Sequence, residues 1–153
     1  MMNYLAADHA GFELKEKIKV FLSEKGYPFE DLGTHSTESV NYVPLAAAVA
    51  ERVSRRPGET RGILVCGSGI GMAIVANKFA NVRAALCHDE ETARLSRAHN
   101  DANIISLGGR VLDHQLALRL VEIFLETPFD AGRHQQRLDF LRQNVENKNF
   151  KET

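Results

Sequence analysis

Six consecutive residues, Cys66-Gly67-Ser68-Gly69-Ile70-Gly71, follow the apolar run GILVC at 62–66 and lead into a helix-prone stretch. A helix start carries unpaired N–H groups and partial positive charge. Glycines there let the backbone approach a ligand closely. Such a nest suits a phosphate or a developing oxyanion, and it makes the thiolate of Cys66 more available. Three known chemistries use loops of this kind, and each fails at a named residue. A dinucleotide fingerprint fits Gly67 and Gly69, but its third glycine is Met72, although Asp89 stands where a ribose-binding acid would. A cysteine phosphatase needs an arginine where Met72 stands, and a C-x-x-C redox motif needs cysteine where Gly69 stands. Plain packing, with Cys66 as a buried strand cysteine, also accounts for the loop taken alone.

Other segments hold groups of matching chemistry. Asp8-His9-Ala10-Gly11 ends the first apolar run. Asp8 there suits a helix cap, but His9 is less easily explained as one. His99, in Ser96-Arg97-Ala98-His99-Asn100-Asp101, is either a proton-transfer group or a histidine favoured by a helix C-terminus. Arg133 and Arg137 lie four apart and share a helix face. Two guanidinium forks suit a phosphate dianion, and a solvated face is the alternative. His35, His88 and His114 lack ligand spacing and no H-E-x-x-H or paired-cysteine motif occurs, so no metal site is expected. Cys87 closes an apolar strand and is read as core.

The elements that must position these groups alternate in type. Strands are expected at 4–7, 27–32, 62–66, 83–87 and 103–107. Helices are expected at about 14–25, with Gly26 as the stop, around Leu45 to Val53, and at 71–79, 90–98 and 116–124. The tail from His134 to about Asn147 is expected to be helical, with Leu138, Leu141 and Val145 in phase. Repeated β-α units mean a parallel sheet with helices on both faces and a ligand beyond the carboxyl ends of the strands. The C-terminal helix has no strand to cover, which makes it a candidate subunit contact.

The 153 residues suit one domain, with 44% hydrophobic and 25% charged residues. A net charge of −1 gives no broad basic surface, so nucleic acid is not expected as a partner. Apolar runs fall well short of the roughly 18 residues that span a bilayer, so no membrane is expected. The opening MMNYLAADHAGF lacks the pattern of a secretory signal, and two cysteines make no disulfide framework. A reducing cytoplasm is the expected compartment.

Taken together, AADHAGFELK at 6–15, GTHSTE at 33–38, GILVCGSGIGMAIVANKFANVRAALC at 62–87, ARLSRAHNDANIISLGGRV at 93–111 and GRHQQR at 132–137 resemble the ribose-5-phosphate isomerase B family. The wider group includes galactose-6-phosphate isomerase. The resemblance covers nearly the whole chain. It implies an α/β fold, a Rossmann-like three-layer αβα sandwich with a five-stranded parallel sheet and an extra C-terminal helix. It also implies aldose–ketose isomerisation of a phosphorylated sugar without metal or other cofactor. The assembly implied is a homodimer or dimer of dimers with shared active sites, the tail at about 134–150 lying at an interface.

By the same resemblance, Cys66 is the base that moves a proton between C2 and C1. Gly67, Ser68, Gly69, Ile70 and Gly71 hold the enediolate oxygen, and His99 opens the sugar ring. Asp8 orients or shuttles hydroxyl protons, Asn100 binds the sugar, and Tyr42 stacks on it. His9, Arg133 and Arg137 hold the phosphate, with Arg110 near the site. Some relatives use a glutamate further along the loop; Met72 and Ala73 stand there, so this chain is of the cysteine type. Relatives read D-Y-P where this chain reads Asn41-Tyr42-Val43-Pro44, which leaves the loop geometry open. Two other readings remain: a six-carbon sugar phosphate as substrate, and a non-catalytic nucleotide-binding module.

Overall fold

The computed structural model describes residues 1–146. Its strands are β1 (Met2–Ala7), β2 (Phe29–Asp31), β3 (Thr60–Cys66), β4 (Ala84–Leu86) and β5 (Ile104–Gly108). Its helices are α1 (Phe12–Lys25), α2 (Tyr42–Arg55), α3 (Ile70–Ala76), α4 (Glu90–Ala98), α5 (His114–Glu126) and α6 (Arg133–Leu141), which runs into a π-helical turn, Arg142–Glu146. The strands are all parallel in the order β2-β1-β3-β5-β4.

The central strand β3 shows why GILVC carries no polar residue. Ile63 and Val65 join a cluster with Leu14, Ile18, Leu22, Leu120, Val121 and Phe124 on the α1–α5 face. Leu64 and Cys66 point to the other face, into a cluster with Val49, Val53, Met72 and Ala76 from α2 and α3. Side chains alternate between the faces of a strand, so a strand covered on both sides is apolar throughout. These are the three layers expected.

The local stops are legible. Gly26 ends α1 in the left-handed region at φ 75°. Asp89 starts α4 in a capping box with Thr92. Two expected strands shorten, β2 to Phe29–Asp31 and β4 to Ala84–Leu86. Both are sheet edges, paired on one side. Helix α3 stops at Ala76, not Phe79, because the Asn77 side chain turns to β4: its amide donates to Ala84 O (2.9 Å) and its oxygen accepts from Ala84 N–H (2.8 Å). The expected helix to Asn147 is regular only to Leu141, and its last part lies outside the described residues.

Candidate active site

Strands β1 and β3 are neighbours, and the chain leaves them toward opposite edges of the sheet. This topological switch point opens a crevice at their carboxyl ends. Ala7 pairs with Val65, and Asp8 N–H donates to Val65 O (3.1 Å), so Asp8 and Cys66 emerge side by side. The strand order brings in a third neighbour. Because β5 lies against β3, Cys66 pairs with Gly108, and Arg110 N–H donates to Gly67 O (3.1 Å).

Cys66 is 6% exposed, and its Sγ accepts the N–H of Gly69 at 3.1 Å. Gly69 has φ 80°, and a Cβ there would fall 2.7 Å from Leu86 Cδ1 and 2.9 Å from the Leu107 carbonyl carbon. Its carbonyl accepts from Ser106 Oγ (2.6 Å), which fixes the turn from β5. Ser68 Oγ accepts from Ile70 N–H (3.3 Å). Gly71 carries no Cβ because the ring of Tyr42 occupies that space, 2.7 Å away at Cζ. Tyr42 therefore stays at this loop despite the Asn41-Tyr42-Val43-Pro44 departure. Asn41 Oδ1 accepts from Val43 N–H (3.0 Å), a cap that a proline at 43 would remove.

Asp8 does not cap α1, whose N-cap is Gly11 without a side-chain bond; its Oδ1 instead closes the turn before the helix, accepting from Ala10 N–H (2.9 Å) and Gly11 N–H (3.0 Å). His9 Nδ1 accepts from Val40 N–H (3.2 Å), which ties it to the 33–41 loop. His9 and Arg110 line a cavity of about 210 Å³ with Glu13, Thr37, Gly109 and His114. Spacing gave no sign of His114. Its place at the first turn after the last strand is the signal, since that turn starts at the carboxyl edge. His114 Nε2–H donates to Gly109 O (3.1 Å) while Nδ1 accepts from Lys17 (2.9 Å).

His99, Asn100, Arg133 and Arg137 lie elsewhere in the same chain. Helix α4 runs back to the amino edge and ends at His99. The segment after it leads into β5, where Gly62 N–H donates to Asn103 O (2.8 Å) at the start of β3. Helix α5 returns to the same edge, and Asp130 N–H donates to Ala98 O (3.0 Å). The rings of His99 and His134 stack with centroids 4.1 Å apart and planes 13° apart. Burial, His99, Arg133 and Arg137 together hold the His134 imidazole below its ordinary pKa. Asn100 O accepts from Arg83 Nε (2.9 Å). Asp101, at φ 44°, accepts from Arg97 (2.7 Å) and Arg83 (3.1 Å). Burial and the neighbouring Arg97 push Arg61 down to about 10.

One chain thus brings together Asp8, His9, Tyr42, Arg110 and the loop Cys66, Gly67, Ser68, Gly69, Ile70 and Gly71. It separately gathers His99, Asn100, Arg133 and Arg137. Strand β3 runs from Thr60 at the second edge to Cys66 at the first, about 20 Å at ~3.3 Å per residue. The two groups do not meet within the chain. A cavity of about 790 Å³ lies between α6 and the α3–β4 side, lined by Phe79, Val82, Asn100, Leu138 and Leu141. Beside it, Ile70 and Ile74 of α3 are 51% and 57% exposed. Among the described residues no group of three or more His, Cys, Asp or Glu is placed to hold a metal ion, and no helix is long and apolar enough to cross a membrane.

Residues 4–141 match the model of a family described as Ribose/Galactose Isomerase. The chain is 44% identical over 133 residues to ribose-5-phosphate isomerase B of Escherichia coli K12, covering 86% of this chain and 88% of that protein. The structure of ribose-5-phosphate isomerase B from Clostridium thermocellum superposes with a TM-score of 0.90 at 43% identity, covering 94% of this chain and 96% of that one. The Mycoplasma genitalium ribose-5-phosphate isomerase B structure with bound ribulose-5-phosphate gives 0.93 at 34% identity, covering 96% and 97%.

Proposed function

The chain belongs to the ribose/galactose isomerase family, and within it we propose that this protein interconverts ribose 5-phosphate and ribulose 5-phosphate with Cys66 as the base. The observation that carries the reading is the Cys66 sulfur under the Gly69 N–H at the switch point, at the head of a loop with glycines at 67, 69 and 71. The relatives named above supply the substrate.

The chemistry is a proton relay. His99 moves a proton from the anomeric hydroxyl to the ring oxygen, and the C1–O4 bond breaks to leave the open-chain aldehyde. The Cys66 thiolate takes the C2 proton, and the electron pair passes to the C1 oxygen. In the loop from Gly67 to Gly71 the Gly69 N–H serves the Cys66 sulfur and the Ile70 N–H serves Ser68 Oγ; the N–H groups of Gly67, Ser68 and Gly71 hold that oxyanion, where fixed donors act at low reorganisation cost. Asp8 moves the hydroxyl proton between O2 and O1, and Cys66 returns its proton to C1. Asn100 and Tyr42 orient the sugar, while His9, Arg110, Arg133 and Arg137 hold the phosphate.

This list draws on both edges of the sheet, so a second copy must complete each site. The exposed Ile70 and Ile74, next to the loop, support a homodimer through the α3–β4 side. The Leu138, Leu141 and Val145 stripe beyond α5 supports a place for the tail in that interface. Free Cys66 and Cys87 suit a reducing cytoplasm. Met72 is fully buried in the core, so the partial dinucleotide fingerprint has no ligand-facing third position.

The family description also covers galactose, which keeps a six-carbon phosphate as the second reading. A side-by-side assay of kcat/KM on ribose 5-phosphate, allose 6-phosphate and galactose 6-phosphate decides between them. The pentose should be preferred; a higher value for either hexose would overturn the assignment.

A further inference from the structure

We propose that His134 is a positioning residue for His99, a wall that fixes the imidazole in the orientation from which it exchanges a proton with the sugar ring oxygen. The inference rests on the isomerase reading of the site. His134 is the one buried residue of α6, at 8% exposure, and its ring lies flat on that of His99.

The backbone sets this register from both sides. Ala131 and Gly132 take successive positive φ angles of 53° and 56°, which fold the chain sharply into α6. His134 N–H donates to Ala131 O (3.1 Å), closing that turn. Asp130 N–H donates to Ala98 O, one residue before His99, and His99 N–H donates to Leu95 O (2.9 Å). The turn that carries His134 is therefore hydrogen-bonded to the helix end that carries His99.

The pair has a chemical logic. Burial, His99 and the Arg133 and Arg137 guanidiniums lower the His134 pKa, which disfavours its taking the proton His99 is to move. A flat neutral ring accommodates His99 in both charge states, whereas a second imidazolium would oppose it. Restricting one side of His99 leaves its other face and edge for the substrate. A group held near its reacting position contributes rate through orientation.

The test separates ring opening from enolisation. Ribulose 5-phosphate has no furanose form, so exchange of its C1 proton with deuterated solvent needs Cys66 but no ring opening. His134→Ala should lower net conversion of ribose 5-phosphate on the order of tenfold, while exchange stays within about twofold. His134→Phe, which keeps a flat ring, should restore most of the conversion. A parallel fall of both reactions, no change in either, or a Phe variant no better than Ala would each overturn the proposal. Circular dichroism on all three proteins checks folding, and His134→Phe keeps the test open if His134→Ala does not fold. Failure of wild-type protein to convert ribose 5-phosphate would instead reject the isomerase reading. In that case the upfield imidazole proton shifts of His99, expected to be lost in His134→Ala and kept in His134→Phe, still decide the positioning contact.

Discussion

The amide N–H of Gly69 is directed at the sulfur of Cys66 across 3.1 Å, and Gly69 alone in this loop takes a left-handed φ of 80°. The donor reaches the sulfur because a residue without Cβ makes the turn. Gly69→Ala should therefore damage the donor and the fold together. The φ costs an L residue about 1–2 kcal/mol, and its Cβ would press on the Leu107 backbone. Urea unfolding should show a loss of about 2 kcal/mol, and kcat should fall by at least tenfold (~) as the donor shifts.

Separation of the two half-sites predicts complementation. In the homodimer proposed above, Cys66→Ala disables one edge and His99→Ala the other, so each variant alone should be nearly inactive. A mixed dimer has one site with both lesions and one with neither. After unfolding and refolding an equal mixture, random pairing should restore about a quarter of wild-type activity, since half the dimers are mixed and each has one intact site. An inactive mixture would mean that each site is built within one chain.

The sequence carried much of this. GILVC marked the doubly covered central strand, and the β-α alternation put Asp8 and Cys66 at one edge. The same alternation places His99 at the other edge, since α4 must return before β5 begins. The strand order was not legible. Only the insertion of β5 between β3 and β4 brings Gly108 beside Cys66 and delivers Arg110. Nor was the His99–His134 stack legible, because it depends on a positive φ at Ala131 that no residue type there announces. Asp8 was readable as a helix cap, but its carboxylate closes the turn at Ala10 and Gly11, one step before α1 begins.

A buried ion pair supports the loop that reaches His9. Lys15 is fully buried, and its ammonium contacts both oxygens of Asp31 at 2.6 Å. Burial pushes the Asp31 carboxyl up, but hydrogen bonds from Lys15, Lys19 and Gly33 N–H outweigh it and hold it below the ordinary value. The unfolded chain then binds the proton more readily, so this contribution is complete above about pH 4 and is lost as pH falls through the folded value. Lys15→Met should cost about 3 kcal/mol near neutral pH. Chemical denaturation from about pH 6 down to about pH 2 should show the gap from wild type narrowing with acid.

Asp101 holds the turn that carries His99 and Asn100. Its carboxylate is shared by Arg83 and the 4% exposed Arg97, whose Nε has no partner among the described residues. Asparagine tolerates the positive φ, so Asp101→Asn isolates the charge. The variant should lose about 3 kcal/mol, seen as a fall of roughly 8 °C in thermal midpoint. Its kcat/KM should fall more than its denaturant midpoint alone explains, because His99 and Asn100, the residues proposed to meet the sugar, sit on that turn.

The central claim is that Cys66 moves the proton. The most direct measurement is steady-state turnover and binding of ribose 5-phosphate by Cys66→Ala. Loss of the base should lower kcat by roughly 10³-fold, while calorimetric affinity for the substrate stays within about twofold of wild type. Turnover at the wild-type rate in that variant would contradict the account.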